Sequence, residues 1–80
     1  MREIGYSIVD LDEEENLNEE VVWEHLRDAI ATAVAESHYW SKQICVHQVV
    51  MEDGWPKEYE GPMWLVTCDE DWNIKVEMVD

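Results

Sequence analysis

Hydrophobic and polar residues alternate at the start of the chain. Ile4, Tyr6 and Ile8 fall on one face of an extended segment and Gly5, Ser7 and Val9 on the other, the period of two that marks a half-buried strand. A first strand is therefore expected over residues 3–9. Residues 10–15 are nearly all acidic, show no apolar period and read as a loop. Asn16 followed by Glu19 fits a capping box, with Asn18 an equally good N-cap, which puts a helix start within a residue or two of Leu17. From there Val22, Leu26, Ala29, Ile30, Ala33 and Ser37 recur at spacings of three and four, predicting one apolar helix face about five turns long. The alanines at 29, 31, 33 and 35 would let that helix approach a sheet closely, and His38-Tyr39-Trp40-Ser41 breaks the pattern.

Residues 43–51 are rich in Val and Ile and predict a second strand, ended by Gly54 and Pro56 in a turn or loop. After a polar connection through Glu60 and Gly61, residues 63–68 read as a third strand. Asp69 to Trp72 would turn the chain, and residues 73–79 alternate, with Ile74, Val76 and Met78 facing one way and Lys75 and Glu77 the other, so the last two strands form a hairpin. The fold class is then α+β: one long amphipathic helix packed on a four-stranded antiparallel sheet in the order β-α-β-β-β, residues 1–80 making a single acidic domain.

Composition changes the picture through charge. The chain of 80 residues carries 20 acidic side chains against 5 basic ones, a formal net charge of -15, yet 46% of its residues are hydrophobic and 5 are Trp. A disordered acidic tail lacks such aromatic and β-branched content, so the charge sits on a folded scaffold and works against its compactness. Direct nucleic-acid binding is disfavoured by the sign of that charge, and so are anionic membranes. No apolar stretch reaches transmembrane length and the first ten residues do not resemble a secretion signal, which points to the cytoplasm. Cys45 and Cys68 are then expected to be reduced core thiols.

The most informative feature is the acidic run Asp12-Glu13-Glu14-Glu15, continued by Glu19, Glu20, Glu24 and Asp28. On the expected helix, Glu20, Glu24 and Asp28 would form a stripe with a rise of about 6 Å per step, each like-charge pair costing roughly 0.2–0.5 kcal/mol. Such a ridge can occupy a groove built for phosphates, which repeat every 3.4 Å or so along each DNA strand. The bland alternative is a solvated face of an acidic protein. Asp69-Glu70-Asp71-Trp72-Asn73 has the opening spacing of a calcium loop, but Ile74 stands where the glycine belongs and Asp80 where the final glutamate belongs, so a hairpin turn is the better reading. The three His and two Cys lack zinc-site spacing, and no Gly-rich phosphate loop or marked nucleophile is present; no cofactor and no enzymatic activity are expected. Trp23 beside the acidic stripe and Trp55 in a turn are candidates for an interface.

Several segments resemble the phage uracil-DNA glycosylase inhibitor family of small acidic DNA mimics. Ile44-Cys45-Val46-His47 is similar to its Ile-Leu-Val-His strand, and Tyr59 with Pro62-Met63-Trp64-Leu65-Val66 to its Tyr-Lys-Pro-Trp-Ala-Leu-Val segment. Asn73-Ile74-Lys75-Val76 with Met78 resembles its last strand, and Leu17-Asn18-Glu19-Glu20-Val21 its helix start, so about half the chain is covered. The family's Glu-Ser-Ile edge-strand motif is missing, Tyr6-Ser7-Ile8 keeping two of its residues, and one helix is expected where the family has two. The resemblance implies that Glu20 supplies helix-start charge and that Val21, Val46 and Leu65 line an apolar pocket. It also makes the expected partner the basic DNA-binding groove of a host enzyme, first uracil-DNA glycosylase, met by Asp12, Glu13, Glu14, Glu20, Glu24, Asp28 and Trp23. Other readings are an anti-restriction or anti-CRISPR mimic aimed at a nuclease, and a halophilic acidic domain with no inhibitor role.

Overall fold

The computed structural model describes residues 2–9 and 21–79. Among these residues one helix packs on a five-stranded antiparallel sheet: β1 is Arg2–Val9, β2 Val22–Trp23, α1 Leu26–Trp40, β3 Ile44–Glu52, β4 Trp55–Cys68 and β5 Ile74–Val79. The strands lie in the order β2-β1-β3-β4-β5. The fold class agrees with the sequence pattern, and the additional strand is β2, at the edge beside β1.

Val22 and Trp23 explain why the helix does not start near Leu17. In a helix, Val22 would be buried and Trp23 left outside. As a strand opposite Ser7 and Tyr6, the pair puts Trp23 against the helix-side core and Val22 over Gly5, where any added side chain would collide with it. A β-branched residue beside an aromatic one favours this extended form. The expected capping residues Asn16, Asn18 and Glu19 lie outside the described residues. The observed helix begins at Leu26 with extended His25 as N-cap, whose carbonyl accepts from the N–H of Asp28 and Ala29 but whose side chain caps nothing.

From Leu26 onward the predicted face holds. Ala29, Ala33 and Ser37 are buried, four residues apart, and bring the helix close to the sheet. Ala29 and Ala33 meet Ile44, Val46 and Val66, with Tyr6, Ile8, Trp23, Leu26, Ile30, Val34 and Trp64 packed around them. Tyr6 and Trp64 meet edge to face at 5.8 Å, a favoured aromatic geometry. The helix ends where Ser41 turns left-handed at φ 54° and the N–H of Lys42 returns to the carbonyl of Ser37 at 3.3 Å, the Schellman pattern.

The turn expected around Gly54 forms at Asp53-Gly54, but Trp55, Pro56 and the expected connection through Glu60-Gly61 belong to one long strand. Asp53 and Gly54, at φ 54° and 82°, form a two-residue type I′ turn, whose twist matches the strands it joins. Strand β4 can therefore start at Trp55, opposite Glu52, and run 14 residues, with register shifts against β3 after His47 and Val50. The last hairpin matches expectation, pairing Cys68 with Ile74, Val66 with Val76 and Trp64 with Met78.

Candidate partner-binding surface

Among the described residues, those proposed from sequence do not assemble into one site. Asp12, Glu13, Glu14 and Glu20 lie outside the described residues. Glu24 precedes α1 in a bend, so the helical stripe through Glu24 and Asp28 does not form; both are exposed. Asp28 sits in the first turn of α1, where the helix dipole favours a carboxylate. Trp23 is not an exposed neighbour of acids but a half-buried member of the core surround. Val21 is 66% exposed. Val46 is fully buried on the helix side of β3, whereas Leu65 stands opposite Cys45 on the other face of the sheet. Side chains at successive positions point to opposite faces, so Val46 and Leu65 cannot line one pocket. Ser7 is fully buried as well, paired between His47 and Val22, and offers no strand edge to a partner.

The hairpin of β3 and β4 gathers acids that the sequence reading passed over. Glu52, Asp53, Glu58 and Glu60 are all exposed around its tip. The register sets Glu52 opposite Trp55 and Val50 opposite Glu58, which places Glu52, Trp55 and Glu58 on one face, with Ile4 beside Val50 on the neighbouring strand. Trp55 is 67% exposed and Ile4 46%. A shallow cleft of about 490 Å³, lined by Val50, Glu52, Lys57 and Glu58, opens there. The type I′ turn sets Trp55 opposite Glu52, and the register shift after Val50 brings Glu58, three residues on, to the same face. The sequence signal was the Asp53-Gly54 pair between two apolar runs, which marks a tight hairpin.

At the opposite end of the sheet a polar corner joins the end of α1 to the last hairpin. The hydroxyl of Ser37 donates to the carbonyl of Lys42 at 2.6 Å and accepts from the N–H of Cys68 at 2.9 Å. The Asp69 carboxylate accepts from the backbone N–H of Asp71 and of Asn73, both at 2.9 Å, and from the Asn73 side-chain amide at 3.0 Å. Those donors, chiefly Asn73, hold its carboxyl below the ordinary range, and nearby His38 adds to the effect. The carboxylate that would have opened a calcium loop is thus engaged by the backbone and side chain of its own hairpin turn. His38 stacks on Trp72 at 3.6 Å and its Nδ1 lies 2.9 Å from the Asp69 carbonyl oxygen.

Cys68 stands 4.0 Å from that nitrogen, but Nδ1 donating to the carbonyl has no lone pair to take a thiol proton. Burial, with the charge of Asp69, pushes the Cys68 thiol up, and burial does the same for Cys45. Neither is a nucleophile in this state, since reactivity belongs to the thiolate. The two cysteines occupy opposite faces of the sheet, Cys45 beside Leu65 and Cys68 beside Ile74. Among the described residues no three His, Cys, Asp or Glu side chains converge as metal ligands, and no helix is long and apolar enough to cross a membrane.

Compared with protein-family models, curated proteins and solved structures, the chain has no match.

Proposed function

We propose that the protein is a DNA-mimicking inhibitor that occupies the basic DNA-binding groove of a host enzyme, in the cytoplasm of the host cell, with uracil-DNA glycosylase the first target. The observation that carries this reading is the β3–β4 hairpin, where exposed carboxylates flank an exposed tryptophan on a rigid turn. Residues on one face of a strand recur about every 6.8 Å, twice the axial spacing of phosphates on one DNA strand, so same-face carboxylates of the hairpin can meet alternate donors built for phosphates. Trp55 supplies the rigid aromatic anchor that binding surfaces favour. The acids of residues 10–20, among them Asp12, Glu13, Glu14 and Glu20, extend the charge and complete the proposed contact set. The target choice rests on the resemblance, less its edge-strand contact and its Val46–Leu65 pocket.

The test is uracil excision from a duplex by purified glycosylase, with and without an equimolar amount of the protein, at low and moderate salt. Stoichiometric inhibition supports the glycosylase as target. The combined variant Glu52→Gln, Asp53→Asn, Glu58→Gln, Glu60→Gln should weaken inhibition by roughly tenfold or more while keeping the fold, as expected for lost charge complementarity. Full inhibition by that variant would move the contact away from the hairpin. No inhibition by the wild type would remove this target.

A further inference from the structure

Among the described residues strand β5 is an edge strand, beyond the strands β1, β2, β3 and β4 on which α1 chiefly packs. Its helix-side residues share a face with Cys68, Val66 and Trp64, yet Ile74, Val76 and Met78 remain 56%, 44% and 60% exposed. An apolar row along an open edge is a template for another strand. The other face carries one positive and one negative side chain, Lys75 and Glu77, which stand opposite Thr67 and Leu65 on β4 and so face no opposite charge across that pairing.

We propose that two copies of the chain pair antiparallel through β5 about a two-fold axis at Val76, joining their sheets into one. In that register Val76 meets Val76, Ile74 meets Met78 twice, and Lys75 meets Glu77 twice. All three apolar residues fall on the helix side of both copies, and both ion pairs fall on the other. A shift by two residues in either direction sets Lys75 against Lys75 or Glu77 against Glu77, and a shift by one sets the apolar row of one copy on the charged face of the other. The strand is complementary to itself in one register only, as a two-fold interface requires. The net charge of -15 on each copy opposes association through long-range repulsion, so added salt strengthens this contact.

Sedimentation equilibrium on the full chain, up to millimolar protein and at low and high salt, reads the association. Wild type should dimerise, more tightly as salt rises. Glu77→Lys is the discriminating variant: it lowers the net negative charge, which by repulsion alone would tighten the dimer, but in this register it places lysines face to face and should weaken it about tenfold. The double exchange Lys75→Glu, Glu77→Lys keeps the net charge and should restore wild-type association. A second route does not depend on charge. With native Cys45 and Cys68 buried, Val76→Cys opposes its own copy within disulfide reach and should cross-link rapidly under mild oxidant, whereas Ile74→Cys opposes Met78 and should not. A wild type monomeric under all conditions, a Glu77→Lys variant that associates as tightly as wild type, or equal cross-linking of the two cysteine variants would overturn the proposal.

Discussion

Ser37 is where the packing of the helix can be tested with one oxygen atom. It is almost fully buried, and its hydroxyl links the end of α1 to the end of β4 by donating to Lys42 and accepting from Cys68. Ser37→Ala leaves the volume nearly unchanged and removes both partners at once, so the Cys68 N–H loses its acceptor where water has little access. An unsatisfied buried group costs about 1–3 kcal/mol, and the better helix propensity of alanine returns up to roughly 0.5 kcal/mol. The net expectation is about 0.5–2.5 kcal/mol of lost stability. For a domain of this size each kcal/mol lowers the melting temperature by about 4–8 °C. Urea and thermal unfolding followed by circular dichroism would measure the loss, and amide exchange should show the Cys68 N–H opening faster. A variant within about 0.5 kcal/mol of wild type, with unchanged exchange at Cys68, would refute the claim that this hydroxyl ties helix to sheet.

Three further outcomes follow from the same geometry. His25→Ser should raise stability by about 1 kcal/mol in urea titrations, because the N-cap now lacks a side-chain acceptor for the first-turn N–H groups; no gain would mean those groups are already satisfied. Asp69 has a folded pKa below its ordinary value of 3.8, so its contribution is complete above that value and is lost as pH falls through the lower folded one. Asp69→Asn should accordingly flatten the stability profile below about pH 4, read by acid titration of unfolding; an unchanged acid limb would assign the loss to other carboxylates. Cys45 and Cys68, buried and with raised pKa values, should resist alkylation near neutral pH until the chain is unfolded, and fast labelling of the native protein in a mass-spectrometric time course would contradict their placement.

The elements that pack on a single periodic face were legible in the sequence. The 43–51 strand emerges from its Val and Ile content, the hairpin that closes the chain from the alternation of Ile74, Val76 and Met78, and the Ala29–Ala33–Ser37 face from spacings of three and four. What alternation could not resolve was the stretch before Leu26. Val22 fits a helical spacing with Leu26 as well as it fits a strand, and only the tertiary demand that Trp23 reach the core decides between them. That two-residue strand dissolved the carboxylate stripe, since Glu24 was striped with Asp28 only if both were helical. The acids of the β3–β4 hairpin were visible but unplaced, because Gly54, Pro56 and Gly61 read as breakers when Gly54 sits inside a two-residue turn and Pro56 and Gly61 are absorbed in the long strand that follows.

The two surfaces proposed for binding impose different demands on solution conditions, and this makes them separable. Docking of the acidic hairpin into a basic groove gains from opposite charge and should weaken as salt rises. Pairing through β5 brings like-charged copies together and should strengthen with salt, its affinity coming from the backbone edge and the row Ile74, Val76 and Met78. The hairpin tip and β5 occupy different parts of the sheet: β5 pairs with β4 only from Met63 to Cys68, short of the stretch from Trp55 to Glu60 that carries the exposed acids. One copy can therefore engage both contacts. A dimer then presents two acidic hairpins held at a fixed separation, so a bivalent basic partner gains avidity over a single groove if it can span that distance. Inhibition that falls with Glu52, Asp53, Glu58 and Glu60 neutralised but is indifferent to Glu77→Lys would show that the hairpin acts alone. A loss in both would make pairing through β5 part of how the charge is delivered.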